Sequence, residues 1–394
     1  MKKIFLILSF VLLIFVVLIN FRSRIEYYSP VVAENGFDDV IETTIEAPAD
    51  EPLSYDEPMT DTPYPLDIAI EEYMTDNSET TYEEILDCDE PHVVTLTISA
   101  AGDVVLGGDR RWSGYHAFMR EYRDNGLEWF FYNVRHIFEE SCLSIVNLEG
   151  VLTDITSPHM DKTFVFRGPP HFAQILNYGN IDIVSVANNH TIDFFDRGYQ
   201  DTLQALRDHG ILYFGNEFNT ITNVNGIYVG LFGFLTWSDT PHNRNLITAA
   251  IQDLQQRGAQ LIIAYHHWGI ELATHPSPTQ INIGRFTLDQ GAHLVLGAHP
   301  HVLQGIEVHN GRNIVYSLGD FSFGGNAGRV SETMIFQQTF TFIDGELQDT
   351  NETNIIPAIM SSVRYRNNMQ PTILDGEDAQ LLLDRIAQYN ELLN

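Results

Sequence analysis

Two histidines flanking a proline, His299-Pro300-His301, follow the apolar run Leu294–Leu296 and a turn glycine, Gly297. Two neutral imidazoles at that spacing, with Pro300 stiffening the backbone between them, can chelate one metal ion or grip two adjacent ones. Four other apolar runs end in residues of the same kind. Val94–Ala101 ends in Gly102-Asp103, and Leu143–Val146 ends in Asn147-Leu148-Glu149-Gly150. Ile181–Val186 ends in Ala187-Asn188-Asn189-His190 with Asp193 beyond, and Leu261–Tyr265 ends in His266-His267-Trp268-Gly269-Ile270-Glu271. Singly, each has an ordinary structural role. Asp103 suits a turn, Asn188-Asn189 an Asx turn, Asp193 a helix cap, and the histidines loop hydrogen bonds. Together the endings supply carboxylate, amide oxygen and imidazole, a hard-to-borderline donor set suited to Mn, Fe or Zn. Converging at one sheet edge, they would hold one or two divalent transition-metal ions in a hydrolytic centre.

The elements that must position these residues follow from the pattern around them. From His92 onward apolar strands alternate with helical stretches, Phe172–Tyr178, Tyr199–His209 and Gln280–Gln290, which predicts an α/β domain. Short continuous apolar runs suit strands buried on both faces, and such sheets bind ligands at the carboxyl ends of their strands. Ile211–Phe214 and Ile227–Phe234 read as further strands without an evident ligand. Ile335–Phe342 reads as an edge strand, followed by an irregular segment. A closing amphipathic helix is predicted over Asp378–Leu393, with Leu381, Leu382, Ile386 and Leu392 as its apolar positions.

The chain of 394 residues carries 53 acids against 21 bases, a net charge of −32. That balance excludes nucleic acid as a partner, because phosphate neutralisation needs clustered Lys and Arg. The cysteines, Cys88 and Cys142, are too few for a disulfide framework or a thiolate zinc site, and are read as a pair or as free thiols. Lys2 and Lys3 precede the apolar run Ile4–Ile19, a marginal span for a bilayer core of roughly 30 Å. No small-x-small cleavage site follows, so residues 1–25 read as an uncleaved transmembrane signal anchor. Residues 26–91 contain 21 acids and no Lys or Arg, punctuated by prolines, which predicts a disordered, self-repelling linker. The globular domain is expected over 92–394, outside the cell, with the protein single-pass in the cell membrane.

The strand-end blocks resemble those of the CapA family, bacterial capsule proteins linked to poly-γ-glutamate, whose domain is similar to a calcineurin-type metallophosphoesterase. The resemblance rests on Gly102-Asp103, Asn147-Leu148-Glu149-Gly150, Ser185 to Asp193, His267 to Glu271, Gly297 to Val302 and Tyr316 to Phe321. It implies a layered sheet domain with helices on both sides. By it, Asp103, Glu149, Asn189, His267, His299 and His301 are expected as metal ligands. His190 is expected as a general acid, with Asp193 grouped with it as catalytic. The pattern departs in three places. Val105 stands where the family's first strand carries a histidine, Glu149 where a shorter aspartate is usual, and Asp320 where asparagine is expected.

Lys162 is the single lysine after Lys3, and with Arg167 and Glu271 it is assigned to substrate binding. A lysine kept near an arginine in so acidic a chain could serve an anionic substrate, or form a surface salt bridge. The resemblance makes that substrate an anionic γ-glutamyl polymer, handled in capsule synthesis, release or anchoring. The alternatives are a cell-envelope phosphoesterase and a non-catalytic polymer-binding subunit working with other capsule synthase subunits.

Overall fold

The apolar runs become strands of two stacked sheets in the computed structural model, which describes residues 91–158, 162–325, 328 and 331–393. The first strands are β1 (Val93–Val105), β2 (Leu143–Leu148), β3 (Val151–Leu152), β4 (Arg167–Gly168), β5 (Ile183–Ser185) and β6 (Leu212–Phe214). Then come β7 (Thr220–Val224), β8 (Ile227–Thr236), β9 (Leu261–Trp268), β10 (Leu294–Ala298), β11 (Ile306–His309) and β12 (Arg312–Val315). The last are β13 (Asp320–Phe323), β14 (Glu332–Ile343), β15 (Glu346–Leu347), β16 (Glu352–Ile359) and β17 (Thr372–Ile373). The helices are α1 (Ser113–Asn125), α2 (Arg135–Glu139), α3 (Ala173–Tyr178), α4 (Phe195–Asp208), α5 (Pro241–Gln256), α6 (Pro278–Asp289) and α7 (Gly376–Glu391).

One sheet runs β17-β16-β14-β1-β2-β5-β6, with β13 beside β1 and β15 beside β14. The other runs β11-β12-β10-β9-β8-β7. Parallel pairing joins β1, β2, β5 and β6 in the first sheet, and β8, β9, β10 and β12 in the second. Alternation along each strand sends one set of side chains between the sheets and the other outward. Leu96, Ile98, Leu143 and Ile145 of one sheet meet Leu231, Ile263, Tyr265 and Leu296 of the other in a shared core. Outside the first sheet, Val146 and Val184 pack with Phe118, Ile175 and Leu203 of α1, α3 and α4. Outside the second, Ile262, Ala264 and Val295 pack with Ile251, Leu254 and Ile283 of α5 and α6. The result is helix, sheet, sheet, helix. Leu382 and Ile386 of α7 join the inter-sheet core as expected, whereas Leu381 and Leu392, expected on the same face, are exposed.

Three expectations are corrected. β14 is interior, paired with β1 on one side and β16 on the other. Its alternation looked like an edge because Gln337, Thr339 and Thr341 carry one face, where Gln337 donates to the Ser99 hydroxyl. The segment read as irregular holds β15, β16 and β17, and β16 was hidden by its exposed start Glu352-Thr353-Asn354. α5 was not anticipated, although Thr240 accepts from the Asn243 N–H as its N-cap and Pro241 takes the first helical position.

Among the described residues no helix is long and apolar enough to cross a membrane. The expected anchor at 1–25, the linker apart from Pro91, and Cys88 lie outside the described residues. Cys142 is a half-buried free thiol.

His293, entering β10, is locked to β9 in both directions. Its N–H donates to the Ile262 carbonyl at 2.8 Å, and its Nδ1 accepts the Ile262 N–H at 2.9 Å. Burial first, and then the charge of Arg312, bring its pKa from 6.5 down to about 4. A depressed histidine contributes stability that is complete above pH about 6.5 and is lost as pH falls through about 4. Thermal melts from pH 7 to 4 should therefore fall more steeply for the parent than for His293→Asn, whose amide oxygen can accept the same N–H. Parallel curves would remove His293 from the acid limb.

Candidate metal centre

The strand ends of both sheets meet at one place. β1 brings Asp103 tight against the segment before β13 because Gly102 allows close approach: a Cβ there would lie 1.8 Å from the Gly319 carbonyl oxygen. The Asp103 N–H then donates to that oxygen at 2.9 Å, which sets β13 beside it. At the end of β10, Gly297 lies so close to β12 that a Cβ would be 2.2 Å from the Tyr316 carbonyl oxygen. Beyond it His299 and His301 both adopt positive φ, +93° and +57°. Such conformations cost non-glycine residues of order 1–3 kcal/mol each and persist only where the surroundings impose them. Here they aim two imidazoles from one turn into the cluster.

Glu149 lies at the centre and is fully buried. Neither of its carboxylate oxygens has a hydrogen-bond partner. Its Oε1 faces three imidazole nitrogens: His190 Nε2 at 3.7 Å, His267 Nε2 at 3.8 Å and His301 Nε2 at 3.9 Å. His299 Nδ1 is also buried and unpartnered. The Asn189 Oδ1 approaches His267 Nε2 at 2.7 Å. Ligand atoms of Glu149, His267 and His299 lie within 4.8 Å of one another, as do those of Asp103, His301 and Asp320. All six expected ligands, Asp103, Glu149, Asn189, His267, His299 and His301, are thus in one cluster.

The electrostatics follow from burial and crowding. Burial, and then the charge of Asp103, push the Glu149 carboxyl well above the usual range. Burial holds His267 well below the ordinary histidine range, and burial with the neighbouring His301 brings His299 down to about 4. For His301 burial opposes the charge, but the carboxylates of Asp320 and Glu149 outweigh it and raise its pKa. Asp103 is also opposed by burial, yet the hydrogen bond and charge of His301 bring it down to about 2. A buried carboxylate without partners is costly unless a cation faces it. Neutral imidazoles, an amide oxygen and carboxylates aimed at one volume fit a divalent ion.

A second network abuts the first. Asp193, fully buried, accepts from Lys162 Nζ at 2.6 Å, from the Phe166 N–H at 2.6 Å and from His190 Nδ1 at 2.6 Å. His190 is held with Nδ1–H on Asp193 and Nε2 toward Glu149, and its ring packs 4.2 Å from that of Phe166. Lys162 also donates to the Asn189 carbonyl, so it is tied into the site, with its side chain 27% exposed. Arg167, expected on the substrate side, is buried instead. Its guanidinium donates to the Thr153 carbonyl at 2.9 Å and lies over the Phe194 ring. Glu271 is exposed, with a carboxylate oxygen within 4.8 Å of ligand atoms of His299 and His301.

Sequence reasoning overlooked Asn147, whose amide donates to Asp103 Oδ1 at 2.8 Å and lies 3.3 Å from His267 Nδ1, fixing two ligands at once. It lies near the end of β2, two residues before Glu149, and only its neighbours could reveal the role. Trp237, on the rim, sets its ring edge-on to His299 at 4.5 Å, and nothing in its local sequence announces that.

A family model described as Bacterial capsule synthesis protein PGA_cap matches residues 97–325, more than half of the chain. The chain belongs to this bacterial capsule synthesis family. The PGA_cap match spans every cluster residue from Asp103 to Asp320. The chain is 26% identical over 263 residues to the PGA biosynthesis protein CapA of Bacillus subtilis, covering 61% of this chain and 67% of that one. To the capsule biosynthesis protein CapA of Bacillus anthracis it is 26% identical over 267 residues, covering 61% of this chain and 63% of the relative. Among solved structures it is similar to a novel phosphatase from Mycoplasma pneumoniae at TM-score 0.42 and 13% identity, covering 68% of this chain and 95% of that one.

If Glu149 faces a cation, binding should be visible in stability. Chelator-treated protein given Zn²⁺ or Mn²⁺ at about a hundred times Kd gains ~2.7 kcal/mol by mass action. Glu149→Gln should lose most of the corresponding rise in Tm while folding to the same circular dichroism spectrum. An equal rise in both proteins would take Glu149 out of the site.

Proposed function

We propose that this chain carries a metal-dependent hydrolase-type centre of the metallophosphoesterase kind, acting on the γ-glutamyl polymer of a capsule during its synthesis, release or anchoring. The observation that carries the hydrolytic part is Glu149, a buried carboxylate with no hydrogen-bond partner, facing three imidazole nitrogens at 3.7, 3.8 and 3.9 Å. The polymer part is supported by the family and by the names of the Bacillus relatives, which the match covers to 67% and 63% of their lengths. The apolar run Ile4–Ile19 supports a membrane anchor at 1–25, and the acidic stretch at 26–91 reads as a stalk that carries the domain outside the cytoplasm.

Asp103, Glu149, Asn189, His267, His299 and His301 would hold the ion. A bound divalent cation supplies Lewis acidity toward a scissile oxygen and acidifies a water. The chain's own groups do the rest. Asp193 accepts a hydrogen bond from His190 Nδ1–H and so presents Nε2 toward the reacting volume, where it can take a proton from the attacking water and pass it to a leaving nitrogen or oxygen. Lys162 neutralises Asp193, and its ammonium has a third N–H beyond the two it gives to Asp193 and Asn189. That donor can meet a substrate carboxylate. Glu271, at the exposed rim, would repel misplaced carboxylates and bias which unit enters.

The test is turnover of γ-glutamyl oligomers by metal-loaded full-length protein. His190→Gln should lower kcat by roughly 10²–10⁴ while metal content stays unchanged. Asp193→Asn should lower it too. Hydrolysis of phosphodiesters but not of γ-glutamyl oligomers would replace the polymer with an envelope phosphate. No turnover of either would leave a binding protein.

A further inference from the structure

Buried Asp109 ties two exposed aromatic rings into one rigid piece. Its carbonyl accepts the Trp112 N–H at 2.9 Å, and its carboxylate accepts the Val165 N–H at 3.1 Å. The same carboxylate takes Arg111 Nε at 3.0 Å and Nη2 at 2.6 Å, and Nη2 also donates to the Thr163 carbonyl at 3.0 Å. Phe164 is therefore pinned through the residue on either side of it, and Trp112 through its own N–H. Their ring centroids lie 5.4 Å apart, with Trp112 49% and Phe164 43% exposed. Single exposed aromatic side chains are ordinary on a protein surface. This pair differs in being held from beneath and in leading inward. Phe164 stacks on Phe166 at 6.4 Å, and Phe166 is the buried ring packed 4.2 Å from His190. The row of rings thus runs from solvent to the histidine that would serve the leaving group. Arg111 precedes Trp112 and grips the carbonyl before Phe164, so its guanidinium lies at the edge of the pair. Half of its side chain is exposed, and the two N–H groups of Nη1 have no partner among the described residues. Its hydrogen bond to Asp109 outweighs burial in raising the guanidinium pKa, and the charges of Asp109 and Asp193 add to the rise, so Arg111 stands within the field of the His190 network.

We propose that Arg111, Trp112 and Phe164 form a subsite for one substrate unit on the leaving-group side of the centre, fitted to a flat, partly apolar group that bears a carboxylate. A γ-glutamyl residue has that chemistry. Its methylenes and planar amide can lie on the two rings, while its free carboxylate meets the open Nη1 edge of Arg111. The subsite rests on the γ-glutamyl reading of the site and deepens it. Arg111 takes the role that sequence reasoning gave to Arg167. Because the Asp109 knot fixes all three side chains' backbones beforehand, little ordering is lost on binding. The rival role for Arg111 is structural, as a fastener between Asp109 and Thr163. The two roles differ in what they require of a ligand. A fastener is indifferent to the ligand's charge, whereas a guanidinium subsite tells a carboxylate from an amide.

Full-length protein loaded with Zn²⁺, and carrying His190→Gln to slow turnover, is titrated calorimetrically with a γ-glutamyl hexamer and with the same hexamer amidated at its α-carboxylates. Adding Arg111→Gln should weaken the carboxylate hexamer about tenfold and the amidated one by less than about twofold. Adding Trp112→Ala with Phe164→Ala instead should weaken both hexamers about tenfold, because the rings read the chain and not its charge. Equal weakening of the two hexamers by Arg111→Gln would return that residue to its structural role and overturn the subsite. Unchanged affinity in the Trp112→Ala, Phe164→Ala protein would overturn it as well. Both aromatic side chains are on the surface, so that arm decides the matter even if Arg111→Gln fails to fold. Binding of neither hexamer by the starting protein would remove the γ-glutamyl reading itself, and the subsite with it.

Discussion

A carboxylate taken out of water and given no hydrogen bond is the constraint around which this domain is built. Glu149 is fully buried and neither oxygen has a partner, while imidazole nitrogens stand just beyond hydrogen-bond reach. Such a group is costly to keep as a carboxylate, and on the proposed reading a cation within ligand distance outweighs its desolvation. Other features follow from that need. Asn147 pins Asp103 and approaches His267, Asp193 pins His190, and the His299-Pro300-His301 turn holds two left-handed residues to keep its rings aimed.

The two-sheet sandwich supplies the rigidity this requires. The side chains of the cluster come from the ends of β1, β2, β5, β9, β10 and β13, in both sheets, so their mutual positions depend on how the sheets stack. The shared core of Leu96, Ile98, Ile263 and Leu296 fixes that stacking. With helices on both outer faces, the carboxyl ends of the parallel strands stay open to a ligand.

Most of the centre was legible because each ligand follows an apolar strand closely. A run such as Leu261–Tyr265 announces burial, and polar residues straight after it, such as His267, need a reason to be there. What could not be read is what depends on pairing between strands far apart in sequence. Asp320 opens a strand that lies beside β1, a neighbour nearly 220 positions away in sequence, and only that register brings it to Asp103. Arg167 shows the reverse error. Its proximity in sequence to Lys162 suggested a shared task, but a two-residue strand turns its side chain to Thr153 and Phe194. β14 was misplaced for a related reason: alternation reports one wet face, not a free edge.

The acidity of the chain shapes the chemistry as well. With 53 acids against 21 bases, the field at long range repels an anionic substrate, though salt screens it beyond about 8 Å. On the proposed reading, attraction to such a substrate is local and cationic, from Lys162 and a bound metal. The most direct measurement is anomalous diffraction from crystals of protein loaded with Zn²⁺ or Mn²⁺. The account predicts a peak within about 2.0–2.3 Å of a Glu149 oxygen and of imidazole nitrogens from His267 and His299. A map without a peak there, at occupancies that reveal the metal elsewhere, would contradict it.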